Sequence, residues 1–263
     1  MGASVASNGS TAWPGSFVTA VTSPSVSPAT GQPIVILMYE DQNLSSATTF
    51  SVTDTCGTHF TWAVAISDFG YAHDTLYGGP TVALIVGTGG AGTGTVTITA
   101  SQSSNWALEI LTCAGASSGS GLAIVGATGS TYNKSGTTLG GASLTPSSPG
   151  DLLVWGVCVS AVNNYTANTE PASPFVNDNS LDVFTGRHAI TSWYANAPSV
   201  ESPTWAWTGA RQLLSVGAVI KQASNPTPTR PTVYSQAVQR AANWMKRESG
   251  LWSPESGLIP RAA

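Results

Sequence analysis

The residues able to do chemistry are few and widely spaced in this sequence of 263 residues. The histidines are His59, His73 and His188. None stands in the H-x-x-x-H or H-E-x-x-H spacing that puts two imidazoles on one helix face for zinc. Ser117 lies in GASSG (115–119), a match to G-x-S-x-G. A nucleophile elbow needs a strand before that serine and a helix after it. The sequence that follows, SGLAIVGATGS, has no helical period, so the segment is expected to be a loop. NDNSLD (177–182) offers Asp178, Asn179 and Asp182, oxygen ligands of the type Ca2+ takes. It departs from the D-x-[DN]-x-[DN]-G order and is expected to be a polar turn. No catalytic set, no metal site and no cofactor motif is expected. Two carboxylates for glycoside hydrolysis can come from distant parts of a chain, so spacing does not test that class.

The segment DFGYAHDTLYGG (68–79) is the best candidate for a binding loop. It gathers Asp68, Tyr71, His73, Asp74 and Tyr77. Aromatic rings stack on sugar rings, and carboxylates bond to hydroxyls, so the loop suits a glycan. Its DFG is no kinase signature, because no glycine-rich loop or catalytic loop accompanies it.

Cys56, Cys113 and Cys158 are odd in number and share no spacing. They form neither a disulfide framework nor a zinc motif, and are expected to be small buried apolar residues. Nine tryptophans are present. Trp62, Trp106 and Trp155 sit in apolar runs and belong in a core. Trp205 and Trp207 share one face of TWAWT, either as core or as a stacking platform.

The elements that must position these residues are strands. SFVTAVTS alternates along its length, while PIVILMYED is almost continuously apolar, as a strand covered on both faces would be. TTFSVTD and HFTWAVAIS flank TCG, a hairpin-like turn. TVALIVGT, GTVTITA, NWALEILTCAG, GDLLVWGVCVSA, HAITSWYAN, SPTWAWTG and QLLSVGAVIKQ follow. The small-residue stretches between 118 and 144 are expected to be weakly structured. The pattern predicts a mainly β fold, an antiparallel two-sheet jelly-roll sandwich over 1–223. SNPTPTRPT then predicts a Pro-rich linker at 224–232. Residues 233–263 follow as a C-terminal tethered amphipathic helix and an extended tail.

Charge divides the chain at the same place. Only 8% of the residues are charged, against about 25% in an average soluble protein. Residues 1–229 carry Lys134, Arg187, Arg211 and Lys221 against eleven acids, a net of −7. Residues 230–263 carry five cations against Glu248 and Glu255, a net of +3. A basic end on an acidic body suits an acidic partner surface. At helical spacing Tyr234, Val238, Ala241 and Met245 form a stripe, with Trp244 beside it and Trp252 beyond. Arg240, Lys246 and Arg247 rim it. A helix of this length is marginal alone and needs a surface to bury its stripe. That surface is either the chain's own sandwich or another subunit or protein; the tether and the change of charge favour the second, which makes these nine residues the expected partner anchor. The body lacks a basic stripe, so no nucleic-acid partner is expected. No apolar run reaches the ~18 residues of a membrane span, and the first fifteen residues lack the basic and apolar regions of a signal peptide.

The order SVTDTCGTHFTWAVAIS, GTVTITAS, NWALEILTCAG, PGDLLVWGVCVSA and LLSVGAVIKQ resembles the jelly-roll, lectin-like domain of virion proteins of phages infecting actinobacteria. In that pattern VTDTCGTHFT is a hairpin of the form V-x-D-x-x-G-x-x-[FY]. GDLLV opens a central strand and GAVIK closes the sandwich. The resemblance covers about residues 15–222 and carries no catalytic residues across. It implies a non-enzymatic virion component, most often a minor tail protein, assembled in the host cytoplasm. The expected partners are other virion proteins, met through the C-terminal tail, and host cell-wall carbohydrate. A homo-oligomer is expected. A capsid decoration or head-fibre protein is one alternative; a carbohydrate-binding module or a jelly-roll glycosidase is another.

Overall fold

The computed structural model describes residues 4–11, 16–40, 46–73, 79–117, 119–160, 168–184 and 187–223, all within one compact unit, Met1–Ala223. Asp74, Tyr77, the linker at 224–232 and the anchor residues from Tyr234 to Trp252 lie outside the described residues. In the first half the strands are β1 (Ser4–Thr11), β2 (Val18–Thr22), β3 (Ile34–Glu40), β4 (Phe50–Asp54), β5 (Thr61–Phe69), β6 (Thr81–Thr88), β7 (Val96–Ser104) and β8 (Ala107–Ala114). In the second half they are β9 (Val125–Gly140), β10 (Leu152–Ser160), β11 (Asn168–Thr169), β12 (Val176–Phe184), β13 (Arg187–Ala195) and β14 (Thr204–Ile220).

These strands form three antiparallel sheets, not the two expected from sequence. The central sheet has the order β1-β8-β3-β6-β5. One outer sheet is β2-β7-β4. The other runs β11-β14-β10-β13-β12, with β9 also paired to β14. Burial explains the layering. Side chains alternate across a strand, and in β3 both alternating sets are fully buried. Val35, Leu37 and Tyr39 pack with Leu84, Val154 and Val216, which fills the space against the β10–β14 sheet. Ile34, Ile36 and Met38 pack with Ile85, Ile98 and Trp106, which fills the space against β2-β7-β4. A third cluster lies on the far face of the β10–β14 sheet and holds Leu153, Trp155, Val157 and Leu213. Trp205 and Leu139, from the paired ends of β14 and β9, help to cover it.

The large buried rings are anchored through their N–H groups, as buried indoles require. Trp106 Nε1 donates to Gln102 O at 2.9 Å, and Trp155 Nε1 to Ala142 O at 2.9 Å. Trp205 Nε1 donates to Ser192 Oγ at 3.1 Å, so this tryptophan is core and not a platform. Cys56, Cys113 and Cys158 are free thiols and all are buried.

Three expectations are corrected. The TCG turn does not join a hairpin: β4 pairs with β7 and β5 with β6, so the connection crosses between sheets. The weakly structured stretch contains β9, a strand of sixteen residues. The NDNSLD turn is part of β12.

Candidate functional site

The 68–79 loop begins where β5 ends. Asp68 lies on β5 and its side chain is 14% exposed. Its carboxylate meets His73 Nε2 at 2.9 and 3.0 Å and accepts the Phe69 N–H at 2.8 Å. A short 3-10 turn over Gly70–Ala72 carries the chain to His73, whose N–H donates to Gly70 O at 2.9 Å. The imidazole stacks on Tyr132 of β9, with ring centroids 4.8 Å apart and planes 13° from parallel. The structure thus brings Asp68 and His73 together and adds Tyr132, a residue 59 positions further along the chain. Tyr71 lies on the 3-10 turn. The resulting surface is an imidazole–phenol stack oriented by a carboxylate. Such a surface can pack a sugar ring and bond its hydroxyls.

The second feature is a groove of about 340 Å3. Phe50, Ser51 and Val52 of β4 form one side; Trp62, Ala63 and Val64 of β5, with Phe60 and Ile85, form the other side and the floor. Phe60 and Trp62 lie with ring centroids 5.3 Å apart, and Phe50 meets Trp106 edge to face at 5.4 Å. Gly87 faces Trp62 in the ladder, and a Cβ there would collide with the indole, so glycine admits the ring.

Asp54 ties together residues that line this groove. Its side chain is 2% exposed. Oδ1 accepts the Cys56 N–H at 3.1 Å and lies 3.0 Å from His59 Nδ1. Oδ2 accepts the Phe60 N–H at 3.1 Å and the Trp62 Nε1–H at 2.9 Å. Burial alone would raise its pKa. The hydrogen bonds from Trp62, Phe60, His59 and Cys56 outweigh burial and hold it below the ordinary carboxylate value. Asp151 is used in the same way. It accepts from Ser147 N and Oγ, Ser148 N and Oγ, and Gln222 N, at 2.7–3.1 Å. Those bonds likewise overcome burial and lower its pKa.

Other reactive groups are built into the core. Tyr39 bonds Thr191 Oγ1 at 2.7 Å, and burial pushes its phenol well above the usual value. Burial pushes the Cys113 thiol up to about 12. Ser117 sits in a loop, its N–H bonded to Lys221 O and its Oγ to the Gly119 N–H, and a 3-10 turn at Gly121–Ile124 follows it. That is the expected loop and not a nucleophile elbow. Among the described residues no group of three His, Cys, Asp or Glu could hold a metal ion. Comparison with protein-family models, with curated proteins and with solved structures found no match, so the functional reading rests on this chain's own residues.

Proposed function

We propose that this chain is a non-enzymatic virion protein, most simply a phage minor tail protein, whose first 223 residues form a jelly-roll knob. The observation that carries the proposal is the strand order. β1-β8-β3-β6 packs against β2-β7-β4, the interleaved order of two Greek keys in a jelly roll. The β10–β14 sheet then serves as an added layer on that roll. The buried carboxylates Asp54 and Asp151 both accept hydrogen bonds from their own chain, a structural use. In this reading the tail beyond residue 223 attaches the knob to neighbouring virion proteins. Its support is the sequence: a proline-rich tether, then an apolar stripe rimmed by Arg240, Lys246 and Arg247. A capsid decoration or head-fibre role uses the same physics at another place on the particle.

The test is light scattering on the full chain and on residues 1–223, each alone and mixed with disrupted particles. The full chain is expected to self-associate or bind a virion protein, and the shorter chain to stay folded and bind nothing. Equal behaviour of the two would overturn the anchor. The His73–Tyr132 stack favours a second reading, a carbohydrate-binding module. It predicts that His73→Ala abolishes binding of cell-wall oligosaccharides by the full chain.

A further inference from the structure

Among the described residues, one strand position in the first half of the fold is unfilled. In a jelly roll the fifth strand lies beside the fourth; here β5 instead extends the central sheet from β6. Among the described residues, no further strand lies beside β4. The groove occupies that place, with β4 along one side and Trp62, Val64 and Ile85 beneath. The direction of the free main-chain groups follows from the ladder. Ser101 N–H donates to Thr49 O, and Thr55 N–H to Thr95 O, so the odd-numbered residues here bond towards β7. Antiparallel alternation then turns the N–H and C=O of Phe50 and Val52 towards that unfilled place.

We propose that this groove takes an extended, net positively charged polypeptide strand from a neighbouring protein, which adds to β4 as the fourth strand of its sheet. Strand addition needs an open edge for main-chain bonds and a floor that receives alternate side chains. Phe50 and Val52 provide the edge. Trp62 and Val64, the latter 37% exposed, provide the floor. Charge selects the occupant. Residues 1–133 contain no Lys or Arg, and the carboxylate of Asp54, at the end of β4, accepts the N–H of Phe60 and the indole N–H of Trp62, which line the groove. The charge that this half sets beside the groove is therefore anionic and favours a cationic strand. A second copy is a poor occupant, because its own residues 1–133 also contain no Lys or Arg and would add no cation beside Asp54. The inference does not depend on a virion role.

The experiment uses the full chain and three synthetic peptides: KTVTVTVTK, its acidic counterpart ETVTVTVTE, and KTVTPTVTK, in which proline breaks the strand. Binding is measured by calorimetry and by amide hydrogen exchange. KTVTVTVTK is expected to bind at least about tenfold more tightly than either control, to weaken as salt rises, and to protect the amides of Phe50 and Val52. Val52→Pro removes an outward N–H, a change an edge strand tolerates. Val64→Arg places a bulky cation on the exposed floor. Each is expected to weaken binding about tenfold or more while unfolding temperature stays close to that of the parent chain. Failure of the cationic peptide to protect these amides overturns the proposal. So does equal binding of the acidic peptide, or undiminished binding by both variants. Protection of the same amides by a cell-wall oligosaccharide and not by the peptide assigns the groove to a glycan and overturns it as well.

Discussion

Replacing Asp54 by alanine tests whether one carboxylate organises the passage from β4 to β5. The substitution leaves three donors without their acceptor: the N–H groups of Cys56 and Phe60 and the indole N–H of Trp62. A buried donor left unpaired costs about 1–3 kcal/mol. The passage lies near the surface, where water can replace part of the loss, so about 1 kcal/mol for each donor is the appropriate figure. His59 is 76% exposed and is given no share. The total is about 3 kcal/mol, a large part of the 5–15 kcal/mol that holds a typical domain folded. For a unit of this size that corresponds to a fall in Tm of roughly 6–12 °C. Asp54→Asn sharpens the test. It keeps one oxygen but presents an amide NH2 to the other pair of donors, so it should cost about 2 kcal/mol. The pH dependence has a definite sign. The folded-state pKa is lowered, so its contribution is fully present above the unfolded value and is lost as pH falls through the folded value. The gap between the parent chain and Asp54→Asn should therefore narrow below about pH 4. Urea unfolding followed by tryptophan emission at pH 7 and pH 3 measures both effects. A loss under about 0.5 kcal/mol for Asp54→Ala at pH 7 would refute the reasoning.

Three further outcomes follow from the same structure. Asp151→Ala should cost about 2–3 kcal/mol in urea unfolding, because it releases the N–H groups of Ser147, Ser148 and Gln222 together. As with Asp54, that stability should fade in acid, because the pKa of Asp151 is also lowered. Gly87→Ala should displace the Trp62 ring, cost about 1–3 kcal/mol and shift tryptophan emission to the red; unchanged emission and stability would show that the ring has room. The three cysteines should be silent to a thiol reagent at neutral pH in the native chain and all react in denaturant, since each is buried and the Cys113 thiol is held near 12. Rapid native labelling of any one would contradict its placement.

The continuous apolar runs were the legible part of the fold. PIVILMYED, TVALIVGT and GDLLVWGVCVSA became β3, β6 and β10, each buried on both faces, because a run without polar alternation has no face to give to water. β9 was illegible for the opposite reason. Its Gly, Ser and Thr carry little hydrophobic signal, and it is held by its long ladder with β14, a partner more than sixty residues away. The TCG turn misled because turn chemistry reports a reversal and not which sheet receives the next strand. Tyr132 could not have been assigned to the His73 site, since no spacing links a β9 tyrosine to the loop after β5. The V-x-D-x-x-G-x-x-[FY] pattern was visible without its reason. Its Asp is Asp54 and its aromatic is Phe60, and the structure joins them by the Phe60 N–H to Oδ2 bond.

That bond also explains why the groove exists. A strand leaving β4 could turn back beside it and complete the outer sheet. Here Asp54 captures both the Phe60 N–H and the Trp62 indole within eight residues of its own position, which draws the chain down to the central sheet. The absent side chains of Gly87 and Gly90 give the two rings their space, since a Cβ at either would collide with them. Once Trp62 lies there, the register Trp62↔Gly87 and Val64↔Ile85 commits β5 to β6. The place beside β4 that no described strand fills is thus specified by one carboxylate and two glycines, and its floor is lined by an indole where an open core would otherwise meet water. If it is specified in this way, Asp54→Ala should disturb the groove more than its energy alone suggests. Exchange at the Phe50 and Val52 amides should then rise before global unfolding begins. Exchange that rises only with global unfolding would mean that the β5–β6 ladder alone fixes the groove, with Asp54 adding stability but not shape.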